Sequence, residues 1–210
     1  MPIISQAKAL EDLSPHFGPF YELATGAWED CRNLPFKDLA IFTFRTKSSA
    51  VHDYMVARAA IYAELVEGVR PFTKNLMKGI VVKGMHAVYA IRFKKLDEEG
   101  KSKSLPTQQV KAYRNQVQLE GIDAQCHLEL GYITNPLRTQ VLDVRLVCPS
   151  GEVSNAWATS INETTVKPVV EDIFETWYDS EVEPAAVGPK RDEKKDGVVI
   201  QFPGAGDEKP

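Results

Sequence analysis

The chain is short of the residues that build metal and redox centres, with three cysteines and four histidines in 210 residues. The cysteines, Cys31, Cys126 and Cys148, are an odd set with no CxxC spacing, so the sequence writes neither a thiolate zinc site nor a disulfide framework. Buried, reduced thiols in a cytoplasmic protein are the expectation. His16, His52, His86 and His127 contain no i, i+4 pair and no HExxH, and no metal or cofactor is expected. There is no Walker A loop, no GxGxxG after a strand, no kinase signature and no GxSxG. No apolar run approaches the roughly 20 residues that span a bilayer. The first residues lack the basic-then-apolar pattern of a secretory leader. Charge of one sign is also missing: 25 Lys and Arg against 29 Asp and Glu give a net charge of −4. That balance argues against a surface that attracts polyanions everywhere and leaves room for a local basic patch.

What the chain does have is a patterned α+β sequence. Apolar residues make up 43% and charged residues 26%, enough to bury a core in one domain of ordinary size. Residues 17–33 carry Phe20, Leu23, Ala24, Ala27, Trp28 and Cys31 at helical spacing, with Gly26 as a weak point. Residues 36–46 read equally as helix or strand. Ser48 or Ser49 is the expected cap of a second helix with the stripe Val51, Tyr54, Met55, Ala59, Tyr62, Leu65 and Val66, and Phe72 to Met77 reads as a short apolar or helical piece.

A strand is expected from Met85 to Lys94, its odd positions oily and its even positions bearing His86, Arg92 and Lys94. After a polar loop, Pro106 opens a helix expected to run to about Gln118, with Val110, Tyr113 and Val117 inward. The clearest signal follows. Cys126–Ile133, Gln140–Cys148 and Val153–Ile161 alternate in period two and predict an antiparallel meander. Leu128, Leu130 and Tyr132 share one face, as do Leu142, Val144, Leu146 and Cys148. Pairing Ile133 with Val141 would set Glu129 opposite Arg145, a favourable pair.

A last helix is expected from about Thr164 to Trp177, then a disordered tail over 180–210. The expected fold is therefore α+β: N-terminal helices followed by a β-α-β-β-β-α unit, as one four-stranded antiparallel sheet with helices on one face. One domain covers 1–179, helical to about 78 and sheet from about 79.

Two groups of residues carry candidate chemistry. His127, Glu129, Asp143 and Arg145 fall on the polar face of the meander, a His–carboxylate–Arg set suited to acid–base work on a nucleotide or nucleic acid. Charged residues at alternate strand positions are also what a half-solvated sheet displays. Arg92, Lys94, Lys101, Lys103, Lys111 and Arg114, with Lys95 among them, form the chain's one basic concentration, suited to phosphate or an acidic partner. In the tail, Val198, Val199, Ile200 and Phe202 form an apolar island that can add as a strand to a partner's sheet edge.

The α-β-β-β-α order from Pro106 to Tyr178 resembles the layout of a double-stranded-RNA-binding domain. The helix that would present lysines to phosphate is acidic here (Glu171, Asp172, Glu175), so the layout does not carry over that function. Arg45 and His52 match the Arg-x(4–6)-His spacing of helical (HEPN-type) ribonucleases, in which the motif lies within an all-helical bundle; here the pair is expected to straddle a helix start. The expected function is a cytoplasmic macromolecule-binding accessory protein, one component of a toxin–antitoxin or phage-type two-gene module. Its partner would be another protein encoded nearby, or nucleic acid through residues 92–114; a homodimer through an open sheet edge is compatible. The alternative is an enzyme acting on nucleic acid or nucleotides through His127, Glu129, Asp143 and Arg145.

Overall fold

A computed structural model describes residues 3–102 and 105–162. The chain runs α1 (Gln6–Leu13), a 3-10 turn (Ser14–His16), α2 (Phe17–Arg32), α3 (Phe36–Ile41), α4 (Phe44–Leu65), β1 (Val69–Lys74), β2 (Met77–Lys83), β3 (Val88–Lys95), α5 (Gln108–Arg114), β4 (Cys126–Thr134), β5 (Val141–Pro149) and β6 (Asn155–Ile161). The fold is α+β, as the patterning implies, with a sheet of six strands rather than four, in spatial order β1 to β6. Neighbours are antiparallel except β3 and β4, which are parallel and joined through α5. The expected helix beyond 162, the tail island at 198–202 and Lys103 lie outside the described residues.

The two unexpected strands form a hairpin whose two-residue turn is Asn75-Leu76, with Asn75 at φ 53. Asn tolerates the left-handed conformation such turns demand. Pro71 is accommodated because β1 is a sheet edge. At Gly79 a Cβ would lie 2.1 Å from the Ile91 carbonyl oxygen, so β2 approaches β3 there as only glycine allows.

Helices cover one face of the sheet: α4 lies across β1–β3, α2 across β4–β6, and the two pack on each other. Phe20, Leu23, Met55 and Tyr62 meet Ile80, Ile91, Leu128, Leu130, Val144 and Leu146 in this core. Gly26 is explained by Arg58, whose guanidinium lies over α2 while pairing with Asp30 at 2.8 Å; a Cβ on residue 26 would come within 2.6 Å of it. Asp12 fastens α1 to the β2–β3 turn, accepting bonds from the Met85 and His86 amides (3.1 and 2.9 Å) and from the Tyr89 hydroxyl (2.7 Å), with His86 Nδ1 at 2.8 Å. His86 therefore belongs to that turn and not to β3.

The opposite face is covered in part. Phe72, Met77, Val81 and Ala90 are roofed by Tyr113, Leu119, Ile122 and Ala124 from α5 and the segment after it, so helices pack on both faces. The polar side of the meander is thus partly interior. Its register also differs from expectation: Glu129 pairs with Val147, Gly131 with Arg145 and Ile133 with Asp143. A bulge after Ile133 sets Val141 against Thr134 and leaves Leu142 56% exposed instead of on the oily face. The turn fixes this: Asn135 Oδ1 accepts from the Thr139 and Gln140 amides at 2.8 and 3.3 Å.

Candidate functional site

The four residues read as a possible catalytic set are not gathered into one accessible site. His127 and Glu129 are fully buried under α5. Asp143 and Arg145 pair with each other at 2.6 Å nearer the surface, where Arg145 also donates to the Glu98 carbonyl.

Two members of the expected basic patch are in fact the partners of Glu129. Arg92 donates through Nε (3.1 Å) and Nη2 to Oε1, while Arg114 Nη1 reaches Oε1 and Oε2 at 3.0 and 3.1 Å. Arg114 further donates to the Gly151 and Ser154 carbonyls. Burial alone would raise the Glu129 carboxyl, but the two guanidinium charges outweigh it and hold the group below the usual carboxylate range. Tyr113 is sandwiched between the Arg92 guanidinium (4.5 Å to its ring centroid) and the His127 ring (4.4 Å, 10° between planes). Gln116, at φ 55, ends α5 and aims its amide into β4, accepting from the His127 N–H and donating to its carbonyl, both at 2.8 Å. His127 Nδ1 lies 3.1 Å from the Tyr113 carbonyl, so that nitrogen carries the proton; burial drives the imidazole down to about 4. Two arginines on one carboxylate leave the cluster one positive charge in excess.

That excess borders a cleft. Outside the carboxyl ends of the parallel strands β3 and β4, the place where open sheets with parallel strands bind ligands, lies a hollow of about 1350 Å3. The first turns of α4 form one wall, started by Thr43, whose hydroxyl accepts from the Thr46 amide at 3.2 Å. The loops after β3 and β4 form the rest. Six basic residues line it, Arg45, Lys78, Lys94, Lys95, Lys101 and Arg138, against four carboxylates. Lys101 is engaged by Glu99. Among the described residues, Arg45, Lys78, Lys94, Lys95 and Arg138 make no ion pair.

The cations instead bear on one another. Partial burial, then the charge of Arg92, push Lys94 down to about 8. Burial and the nearby Arg138 lower Lys95. His52 is lowered by burial, and the charges of Lys94 and Lys78 reinforce this against Asp53. Arg45 and His52 both belong to α4, so the pair does not straddle a helix start.

Of the expected basic patch, then, Lys94 and Lys101 line the cleft, Arg92 and Arg114 are buried around Glu129, and Lys111 pairs with Glu152 at 2.7 Å on the surface. Lys95 belongs to the same basic run as Lys94 and Arg45 stood out only for its spacing to His52, whereas Lys78 and Arg138, from two other segments, were not singled out by the sequence. Among the described residues no cluster of His, Cys, Asp or Glu has the makings of a metal site, and no helix is long and apolar enough to cross a membrane. No protein-family model, curated protein or solved structure matches the chain.

Proposed function

We propose that the chain is a macromolecule-binding protein that grips the phosphate backbone of nucleic acid in the cleft at the carboxyl ends of β3 and β4. One observation carries this reading: five cations that have no carboxylate partner among the described residues converge there, close enough for Lys94 and Lys95 to be lowered by burial and neighbouring arginines. Crowded like charges raise the folding free energy unless an anion joins them. A fold that keeps them is set to bind one. The hollow exceeds the roughly 300–1,000 Å3 of ordinary small-molecule sites, which favours a segment of polymer.

The role as an accessory component of a two-gene module rests on the sequence reading and is compatible with a site that binds without reacting. The burial of His127 and Glu129 weighs against an enzyme built on those residues, since no substrate atom reaches them while α5 is in place.

The test is fluorescence anisotropy of a labelled oligonucleotide titrated with the full chain at low salt. Saturable binding that is lost in Lys78→Glu and Lys95→Glu supports the reading. An oligonucleotide left unbound at 50 mM salt defeats it.

A further inference from the structure

We infer that the nucleic acid taken by the cleft is single-stranded, with a base stacking on the platform made by Phe44 and Arg138. The inference rests on the phosphate reading above and adds the part of the ligand that is not phosphate.

Phe44 is the first residue of α4, lines the cleft and is 62% exposed, a cost for an aromatic ring. Its ring is not randomly placed. The Arg138 guanidinium lies over it, 4.1 Å from the centroid, across the gap between α4 and the β4–β5 loop. Arg138 reaches this position from a left-handed backbone (φ 55) that a residue with a Cβ adopts at an energetic cost. The surrounding loop holds it there: the Arg138 amide donates to the Asn135 carbonyl at 2.9 Å, and Asn135 Nδ2 donates to the Thr139 hydroxyl at 2.8 Å. Local strain maintained by such a network, at the mouth of a cleft, is the pattern of a contact kept for a ligand.

Both exposed surfaces of the pair suit a base. An aromatic ring and a guanidinium plane each stack on nucleobases without regard to sequence. Bases within a duplex have their faces covered by neighbours, so this platform selects an unpaired strand. The cations Lys78, Lys95 and Arg45 line the same cleft and are available to the flanking phosphates.

The experiment compares three labelled ligands of equal length: a single strand, the same strand with abasic sites, and a duplex. Wild-type chain is expected to bind the single strand about tenfold more tightly than the abasic strand, the size of one base-stacking contact. Phe44→Ala is expected to remove that difference while leaving the abasic affinity unchanged, and Arg138→Gly to remove it while also weakening the abasic strand, because one cleft cation is lost. The first change is at an exposed position, and the second relaxes the backbone at residue 138, so neither threatens folding. Equal affinity for normal and abasic strands, tighter binding of the duplex, or an equal loss on all three ligands in both variants would overturn the stacking inference and leave the phosphate cleft standing. Failure of all three ligands to bind would remove the cleft reading and this inference with it.

Discussion

Arg114, the last residue of α5, holds both oxygens of Glu129, at 3.0 and 3.1 Å. The contact ties α5 to the centre of the sheet and leaves two arginines sharing one carboxylate.

Removing that carboxylate strands both cations in a dry interior. Glu129→Gln is expected to lower the unfolding free energy by about 3–5 kcal/mol, read by urea denaturation. Replacing Arg92, Glu129 and Arg114 together by apolar residues should recover much of the loss. A Glu129→Gln variant as stable as wild type would mean the cluster is better solvated than its burial indicates.

His127 makes stability depend on pH. Its folded value is depressed to about 4 from an ordinary 6.5, so the unfolded chain binds the proton first as pH falls. The stabilisation is complete above about pH 6.5 and is lost as pH drops towards 4, amounting to about 3 kcal/mol at about 1.4 kcal/mol for each pH unit of difference. His127→Asn should flatten that part of the stability profile. An unchanged profile would place the acid sensitivity elsewhere.

The strand pattern made much of this fold readable. Alternation over Cys126–Ile133 and Val153–Ile161 located β4 and β6 within a few residues, and the stripe from Phe20 to Cys31 located α2. The parity of β3 was also legible, with Tyr89, Ile91 and Phe93 on the helix-covered face. What the pattern concealed was the second roof. Charged residues at alternate positions look alike whether they meet water or, as Arg92 and Glu129 do, meet each other beneath α5. Register was lost because it depends on Asn135 closing the turn, a local bond that hydrophobic periodicity does not encode. The cleft was only half visible: Lys94 stood in a run of basic residues, but Lys78, Arg45 and Arg138 become neighbours only through the parallel β3–β4 pair and the start of α4.

Lys94 should give nucleic-acid binding a dependence on pH in the alkaline range. Burial and Arg92 lower it to about 8, with Glu129 opposing, while Arg114 on α5 reinforces the shift and His52 on α4 is neutral near pH 8. Affinity is expected to fall between pH 7 and 9 as the ammonium loses its proton. In Lys94→Arg, which stays charged throughout, affinity should hold across that range. A decline of equal size in both proteins would exclude Lys94 as the titrating group.

Arg138→Gly separates binding from stability. Relief of the left-handed strain offsets the lost ring contact with Phe44, so the variant should stay within about 1 kcal/mol of wild type in urea. A loss well beyond that would make Arg138 a structural clasp.

The salt dependence of oligonucleotide binding tests the central claim most directly. Each phosphate neutralised contributes about −0.7 to the slope of log K against log salt for a single strand. Wild-type chain should show a slope of about −2 to −4, matching three to five engaged cations, and Lys78→Gln with Lys95→Gln should make it shallower by about 1.4. A slope near zero, or a slope untouched by the double variant, would contradict a phosphate-binding cleft at the ends of β3 and β4.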